Sequence, residues 1–199
     1  MLTLALDTAT SVASAALVRD GTLLGERSSA TVRVLAELAE LMEENREEPS
    51  AVTGIVVGTG PGSFTGLRLG IAAARTLAFA LDVPLAGVST LDALAAGAPG
   101  ALPVVDGGRR EIFTLADGAA AVRPAAELTV DPGMVCVGDG AVRYRDLLEA
   151  QGARVPPRDS ELHVPRARFH AALAREFGAA DTVEPLYLRV PDAERAVQP

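Results

Sequence analysis

A chain of 199 residues is long enough for one large domain or for two lobes of about a hundred residues each. Its 49% hydrophobic residues include no Trp, so the core is built mainly from small and aliphatic side chains. The formal net charge of −8 argues against nonspecific binding to duplex nucleic acid, which needs basic surfaces, so contact with RNA would require a partner or a local arginine cluster.

Cysteine usage and hydropathy predict the compartment. The single cysteine, Cys136, stands in an apolar run and predicts a buried thiol in a reducing environment. The first residues carry no basic region, and no apolar run approaches the roughly 20 residues of a membrane span. We therefore expect a cytoplasmic protein that does not enter a membrane.

The first half of the chain predicts three strands followed by alternating helices and strands. Apolar runs separated by turn residues place the three strands at 2–6, 12–18 and 22–27. The pattern then alternates between helical and strand periods, which predicts helix 31–46, strand 52–57, helix 66–81, strand 84–88 and helix 90–96. This order is typical of a ribonuclease-H-like or actin-like lobe.

The second half repeats that order with shorter elements. The pattern predicts strands at 101–105, 111–116 and 120–123, a turn or helix at 124–128, a strand at 134–137 and a helix at 141–151. The sequence thus predicts an α/β fold of two duplicated βββαβα lobes, of the actin-like, ASKHA-type class, with a cleft between them. The predicted N-terminal lobe is 1–100, with a glycine-rich loop and docking helices, and the smaller C-terminal lobe with its tail is 101–199.

A glycine-rich turn connects a predicted strand to a predicted helix. Its sequence, GTGPGSFTGLRLG at 58–70, has five glycines, and such a turn lets backbone approach a phosphate at a helix N-terminus. A P-loop is excluded because it needs Lys and all 18 basic residues are Arg, and a nucleophile elbow is excluded because Pro61 and Thr65 flank Ser63 where glycines are required. Phosphate contact and close helix packing both stay open. The loop residues of interest are Gly58, Gly60, Pro61, Gly62, Ser63, Phe64, Thr65, Gly66 and Arg68.

The first strand of each lobe ends in an aspartate. In nucleotide-binding folds of this kind such acids face the cleft and hold a metal-bound water or a phosphate, which makes Asp7, Thr8 and Asp106 a candidate vestigial nucleotide cleft. The alternative is a carboxylate that accepts hydrogen bonds from turn amides. His163 and His170 match no zinc-binding spacing, and no Cys or acid pattern completes a site, so no metal site is predicted.

Helix 31–46 is predicted to be two-faced, with an apolar stripe opposite a row of glutamates. It is either a core-facing helix with a solvated acidic face or a docking helix, and both can hold at once. Helix 66–81 offers small residues that permit close approach of another helix. The predicted partner interface consists of Val34, Leu35, Leu38, Met42, Ala72, Ala73 and Thr76.

Four segments, in chain order, resemble signatures of the TsaB family, also called YeaZ. They are LALDTAT at 4–10, the block at 58–70, DGGRREIF at 106–113 and PLYLR at 185–189, and together they span nearly the whole chain. The resemblance implies the actin-like two-lobed fold and a role in making threonylcarbamoyladenosine at adenosine 37 of tRNA. Members of that family are noncatalytic partners of TsaD, a metal-containing transferase, and TsaE, an ATPase, joins the pair.

The resemblance further implies that the chain has no cofactor of its own, with nucleotide only at the interface of the complex, and that it reaches tRNA through that complex. It also implies a homodimer when the partner is missing. The segment SSATVRVL at 28–35 departs from the family, which usually has a His and a Leu-Leu-Pro segment on a helix that contacts TsaD. Two other function classes are an independent actin-like small-molecule kinase or ATPase, which turnover of ATP would reveal, and a peptidase, which no Ser, Cys or metal constellation supports.

Overall fold

Two β-sheets organise the protein, seen in a computed structural model that describes residues 1–189; residues 190–199, assigned above to the tail of the second lobe, lie outside the described residues. The first sheet has the strand order β3-β2-β1-β4-β5. Its strands are β1 Leu2–Asp7, β2 Ala13–Arg19, β3 Thr22–Ser29, β4 Val52–Gly60 and β5 Leu85–Ser89. Strand β1 pairs antiparallel with β2 and parallel with β4, so a three-strand meander continues into parallel strands.

Three helices lie in the first half of the chain: α1 Val34–Glu44, α2 Phe64–Leu81 and α3 Thr90–Gly97. The predicted helix 31–46 is shorter in the structure, because a 3₁₀ turn occupies Thr31–Arg33. Helix α2 starts two residues earlier than predicted, since Ser63 Oγ accepts a hydrogen bond from the Gly66 N–H and caps its N-terminus. Helices α1 and α2 both pack on one face of the first sheet, in the largest hydrophobic cluster.

Helix α2 corrects the expectation that no segment is long and apolar enough for a membrane span. Its 18 residues have a mean hydropathy of 1.3, which meets the length and composition of a span, although only a third of them are buried in the fold. The buried residues follow a helical stripe that packs against the first sheet: Gly66, Leu67, Gly70, Ile71, Ala74 and Ala78. This stripe is the pattern of a helix on the surface of a folded domain.

The second sheet has the strand order β8-β7-β6-β9. Its strands are β6 Leu102–Gly108, β7 Glu111–Ala116, β8 Ala119–Pro124 and β9 Cys136–Val137. The single helix predicted at 141–151 is two short helices, α4 Asp139–Arg143 and α5 Arg145–Glu149, interrupted at Tyr144. The order of the first lobe is therefore repeated in abbreviated form.

The chain then returns to the first lobe, which differs from the assignment of all of 101–199 to the second. Helix α6 Ala167–Leu173, which was not predicted, covers the face of the first sheet opposite α1 and α2. Glu26 of β3 anchors it, since the carboxylate accepts hydrogen bonds from the Arg166 guanidinium at 2.6 Å and the Arg168 N–H at 3.0 Å. Farther along, the Leu186 N–H donates to the Thr59 carbonyl at 2.8 Å.

Candidate functional site in the interlobe cleft

The glycine-rich loop packs against the turn that follows β1. A Cβ built on Gly62 would lie 2.3 Å from the Ala9 carbonyl oxygen, and one on Gly66 would lie 2.1 Å from the Thr8 carbonyl oxygen. Thr8 Oγ1 donates to the Gly66 carbonyl at 2.8 Å, and the Ser63 N–H donates to the Ala9 carbonyl at 2.7 Å. Because these backbone groups are used inside the chain, the geometry favours close packing over a phosphate cradle.

Asp7 does not face the cleft, contrary to the candidate nucleotide role. Its side chain is fully buried; one carboxylate oxygen accepts the Ala9 N–H at 2.8 Å and the other accepts the Thr90 hydroxyl at 2.7 Å. His170 Nε2 lies 2.9 Å from that second oxygen, an ion-pair distance at an angle outside the hydrogen-bond range. The acid is therefore enclosed by its neighbours, as the turn-amide alternative predicted. Thr8 is also buried, so only Asp106 of the three candidate residues reaches the cleft.

Asp106 lies at the surface of the cleft between the lobes. One of its carboxylate oxygens accepts a hydrogen bond from the Gly108 N–H at 3.0 Å, and the other accepts one from Arg143 Nη1 at 2.6 Å. The Asp106 N–H in turn donates to Asp139 Oδ1 at 2.9 Å. Burial, with the nearby Asp106 charge as a further contribution, raises the pKa of the Asp139 carboxyl. Asp106 also raises the pKa of the Arg143 guanidinium. Asp106, Asp139 and Arg143 therefore form a charged cluster in the second lobe.

Asp106 lines three hollows of the cleft. The first, of about 520 Å³, lies between the start of α2 and the β6–β7 turn, and Phe64, Phe113 and Tyr187 line it together with Arg189. The second, of about 660 Å³, includes Arg143 and Arg158 among its walls. Within residues 1–189 no group of three or more His, Cys, Asp or Glu side chains is placed to hold a metal ion.

The Arg68 side chain contacts two of the aromatic rings that line the first hollow. The Arg68 guanidinium carbon lies 3.8 Å from the centroid of the Phe64 ring, which is 5.4 Å from that of Tyr187. Arg68 Nε also donates to the Tyr187 hydroxyl at 3.1 Å. The glycine-rich loop and the PLYLR segment at 185–189, far apart in sequence, therefore meet at one place.

The residues predicted as a partner interface divide into two groups. Val34, Leu38 and Met42 are buried in the core, so these three do not face a partner. Leu35 is 46% exposed, and Ala72 and Thr76 are also exposed, while Ala73 is half-buried. Val32 and Leu69, which the sequence analysis did not single out, add exposed apolar surface and line a hollow of about 450 Å³ that also adjoins Asp106.

Two histidines have structural roles that their sequence spacing did not reveal. His163 Nδ1 accepts the Gly138 N–H at 3.1 Å and its Nε2 lies 3.1 Å from the Pro156 carbonyl oxygen, so it holds the turn before α4. His170 joins α6 to Asp7. The apolar residues around each histidine were the available signal, since they are typical of a buried side chain rather than of a metal ligand.

The chain matches a family model described as TsaD, tRNA N6-adenosine threonylcarbamoyltransferase, over residues 28–134. An uncharacterized protein of Mycobacterium tuberculosis is 36% identical over 206 residues, with 96% of this chain and 93% of that protein covered. The tRNA threonylcarbamoyladenosine biosynthesis protein TsaB of Bacillus subtilis is 35% identical over 123 residues, with 57% of this chain and 54% of that protein covered.

Solved structures give the same relationship over nearly the whole chain. YeaZ from Pseudomonas aeruginosa has a TM-score of 0.72 and 30% identity, and the alignment covers 94% of this chain and 99% of that one. The ethanolamine utilization protein EutJ from Carboxydothermus hydrogenoformans has a TM-score of 0.52 at 13% identity, with 85% and 89% of the two chains covered, so that likeness concerns the fold alone.

Proposed function

This chain belongs to the TsaB (YeaZ) family and has its actin-like fold, and we propose that it serves as a noncatalytic subunit in threonylcarbamoyladenosine modification of tRNA adenosine 37. The observation that carries the proposal is the similarity to proteins named TsaB. The Escherichia coli protein of that name is 40% identical over 103 residues, which cover 49% of this chain and 44% of that protein.

The enclosure of Asp7 supports a subunit without catalysis of its own. A carboxylate that is fully buried among Ala9, Thr90 and His170 is not available to a metal-bound water or a phosphate. The same observation argues against an independent kinase or ATPase. We assign no cofactor to the chain alone, and we assign nucleotide only to the interface of the complex.

The exposed side of α1 and α2 is the surface we propose for a TsaD-like transferase, and for a second copy of the chain when that partner is missing. Its members are now the exposed or half-buried residues Val32, Leu35, Leu69, Ala72, Ala73 and Thr76. Small residues on α2 permit a partner helix to approach closely, and apolar groups exposed together commonly mark an interface. A TsaE-like ATPase and tRNA would join through this pair.

Co-purification with a TsaD-like protein tests the proposal. We expect Leu35→Arg to weaken association at least about tenfold, because a charge in an apolar interface is left without a partner. Leu35 is 46% exposed, so the Leu35→Arg variant should keep the melting temperature of the wild type. Leu38 is 3% exposed, so Leu38→Arg would destabilise the core and would not report on the interface. Val122→Arg, on the exposed strand β8 of the other lobe, is the matched control.

Wild-type association of a folded Leu35→Arg variant would contradict the proposed surface. Failure of the unchanged protein to bind any TsaD-like transferase would contradict the proposed function itself. For catalysis, we expect no hydrolysis of ATP above background by the purified chain. Turnover that Asp106→Ala abolishes would restore the ATPase alternative, because Asp106 is the acid that reaches the cleft.

A further inference from the structure

Aromatic rings are concentrated in one hollow of a chain that has few of them. The chain has five Phe and two Tyr, and three of these seven rings, Phe64, Phe113 and Tyr187, line the hollow of about 520 Å³. This volume lies within the range of roughly 300–1,000 Å³ that small-molecule sites occupy. Tyr187 is 40% exposed and Phe64 is 36% exposed, so two of the rings offer accessible apolar surface.

These exposed rings are held in place by contacts that do not fill the hollow. The guanidinium of Arg68 stacks on Phe64 and also donates to the Tyr187 hydroxyl. The Leu186 N–H donates to the Thr59 carbonyl, which fixes the backbone next to Tyr187. A ligand that stacks on these rings would therefore meet a prearranged surface, which lowers the entropic cost of binding.

The charge around the hollow differs from that of the whole chain. The net charge is −8, yet Asp106 and Glu111 are paired with Arg143 and Arg189 at 2.6 Å each, and Asp139 lies behind Asp106, whose N–H it accepts at 2.9 Å. Arg68 contacts two of the lining rings, and the exposed Arg109 and Arg110 form the neighbouring β6–β7 turn. This edge of the cleft is consequently a local arginine cluster in an acidic protein.

We propose that this hollow binds an unstacked base of single-stranded RNA, with the base against the aromatic rings and the flanking phosphates near the arginines. Aromatic side chains beside a basic edge are the combination by which proteins hold single-stranded nucleic acid. The choice of an RNA strand over a free nucleotide, which has the same chemistry, rests on the proposed function in tRNA modification.

Asp106 gives the site a preference among bases. A carboxylate only accepts hydrogen bonds, and Asp106 lies in the wall of the hollow. Adenine and cytosine present exocyclic amino groups with two hydrogens to donate, whereas uracil has a single N3–H donor that lies between two carbonyl oxygens, which a carboxylate repels. The site should therefore bind oligoadenylate more tightly than oligouridylate.

Fluorine NMR of the full chain labelled with 3-fluorotyrosine tests the assignment directly. The chain has two tyrosines, so the spectrum has two signals, and Tyr144→Phe identifies the Tyr187 signal. Tyr144 is a suitable residue to change because its buried hydroxyl has no hydrogen-bond partner among residues 1–189. Titration with an oligoadenylate of about eight nucleotides should shift the Tyr187 signal and leave the Tyr144 signal in place, since stacking acts locally.

Affinity measurements distinguish a base in an RNA strand from a base in a free nucleotide. Tyr187→Leu should weaken oligoadenylate binding at least about tenfold, the scale of one lost base stack, while Phe79→Leu at the far end of α2 should leave it unchanged. Equal or tighter binding of AMP than of the oligomer would overturn the assignment to RNA. An unshifted Tyr187 signal, or an unchanged affinity in a folded Tyr187→Leu variant, would overturn the site. The assay contains no partner and no transfer reaction, so its failure would leave co-purification with a TsaD-like protein as a separate test of the proposed function.

Discussion

The two lobes begin alike, with a strand that ends in an aspartate, but they use that acid differently. Asp7 of the first lobe has no solvent exposure and is enclosed by a turn amide, Thr90 and His170. Asp106 of the second lobe stays at the cleft and pairs with Arg143. The shared topology determines where each acid stands, and its neighbours determine whether it can meet a ligand.

In both lobes a glycine packs closely against the acid or its backbone. The lobes differ in that helix α6 covers the acid of the first lobe. A Cβ on Gly58 would lie 1.8 Å from Asp7 Oδ2, and one on Gly140 would lie 2.9 Å from the Asp106 nitrogen. The first lobe is then closed by α6, which brings His170 to Asp7. Among the described residues the second lobe has no such cover, so its acid stays accessible.

Removing the histidine from the buried pair should have the largest effect. We expect His170→Phe to lower the free energy of unfolding by about 3 kcal/mol, because the buried Asp7 carboxyl would face an apolar ring where the imidazole nitrogen lies 2.9 Å away. Phe keeps an aromatic ring in place, which limits the contribution of a cavity. Urea unfolding of the purified variant measures the change.

The matched change in the second lobe is Arg143→Ala, whose side chain is 57% exposed. An exposed ion pair contributes about 0–1 kcal/mol, so this variant should be nearly as stable as the wild type. The double variant Asp7→Asn/His170→Phe should recover part of the loss, since an amide carries no charge for the apolar ring to disfavour. Equal losses for His170→Phe and Arg143→Ala would contradict the contrast between the lobes.

The glycine-rich loop should give the next largest effect. In Gly66→Ala the added Cβ would lie 2.1 Å from the Thr8 carbonyl oxygen, so either the turn after β1 or helix α2 has to shift. Overpacking of this kind costs about 1–3 kcal/mol, which thermal or urea unfolding resolves. Gly178→Ala, where the nearest neighbouring atom is 3.6 Å away, is the control. A stable Gly66→Ala variant that has lost a binding activity would instead favour ligand contact.

The sequence predicted nearly all of the first lobe because its signals are local. Period-two runs, helical stripes and turn residues are properties of neighbouring residues, and the predicted strands and helices there match the observed ones within a few residues. The two-faced pattern of α1 was also visible, but the pattern alone does not say whether a stripe meets the core or a partner. In the structure Val34, Leu38 and Met42 pack in the core against the first sheet, whereas Leu35 is exposed to solvent.

The site was less predictable because it depends on contacts between distant segments. Asp7 meets His170, and Arg68 meets Tyr187, across most of the chain length. Helix α6 is only seven residues long and has no side-chain cap, so its periodic signal is weak. The return of the chain to the first lobe, which encloses Asp7, therefore could not be read from local pattern.

After the losses expected for His170→Phe and Gly66→Ala, the pH dependence of the free energy of unfolding should show the smallest effect. It tests how enclosed the acidic cluster of the second lobe is. Burial raises the pKa of the Asp139 carboxyl above its ordinary value of 3.8, so the folded state holds this proton more tightly than the unfolded state does. Its contribution to stability is therefore fully present below the unfolded pKa and is lost as the pH rises through the folded pKa.

Asp139→Asn removes this titration and keeps an oxygen that can accept the Asp106 N–H. Urea unfolding between about pH 3 and pH 7 should therefore show the stability of the variant relative to the wild type increasing with pH over that window. Arg143→Ala in the same series checks whether the neighbouring cation contributes. Parallel pH profiles of wild type and Asp139→Asn would mean that Asp139 is solvated like an ordinary surface acid. The second-lobe cluster would then be an open, water-filled edge of the cleft rather than a partly enclosed one.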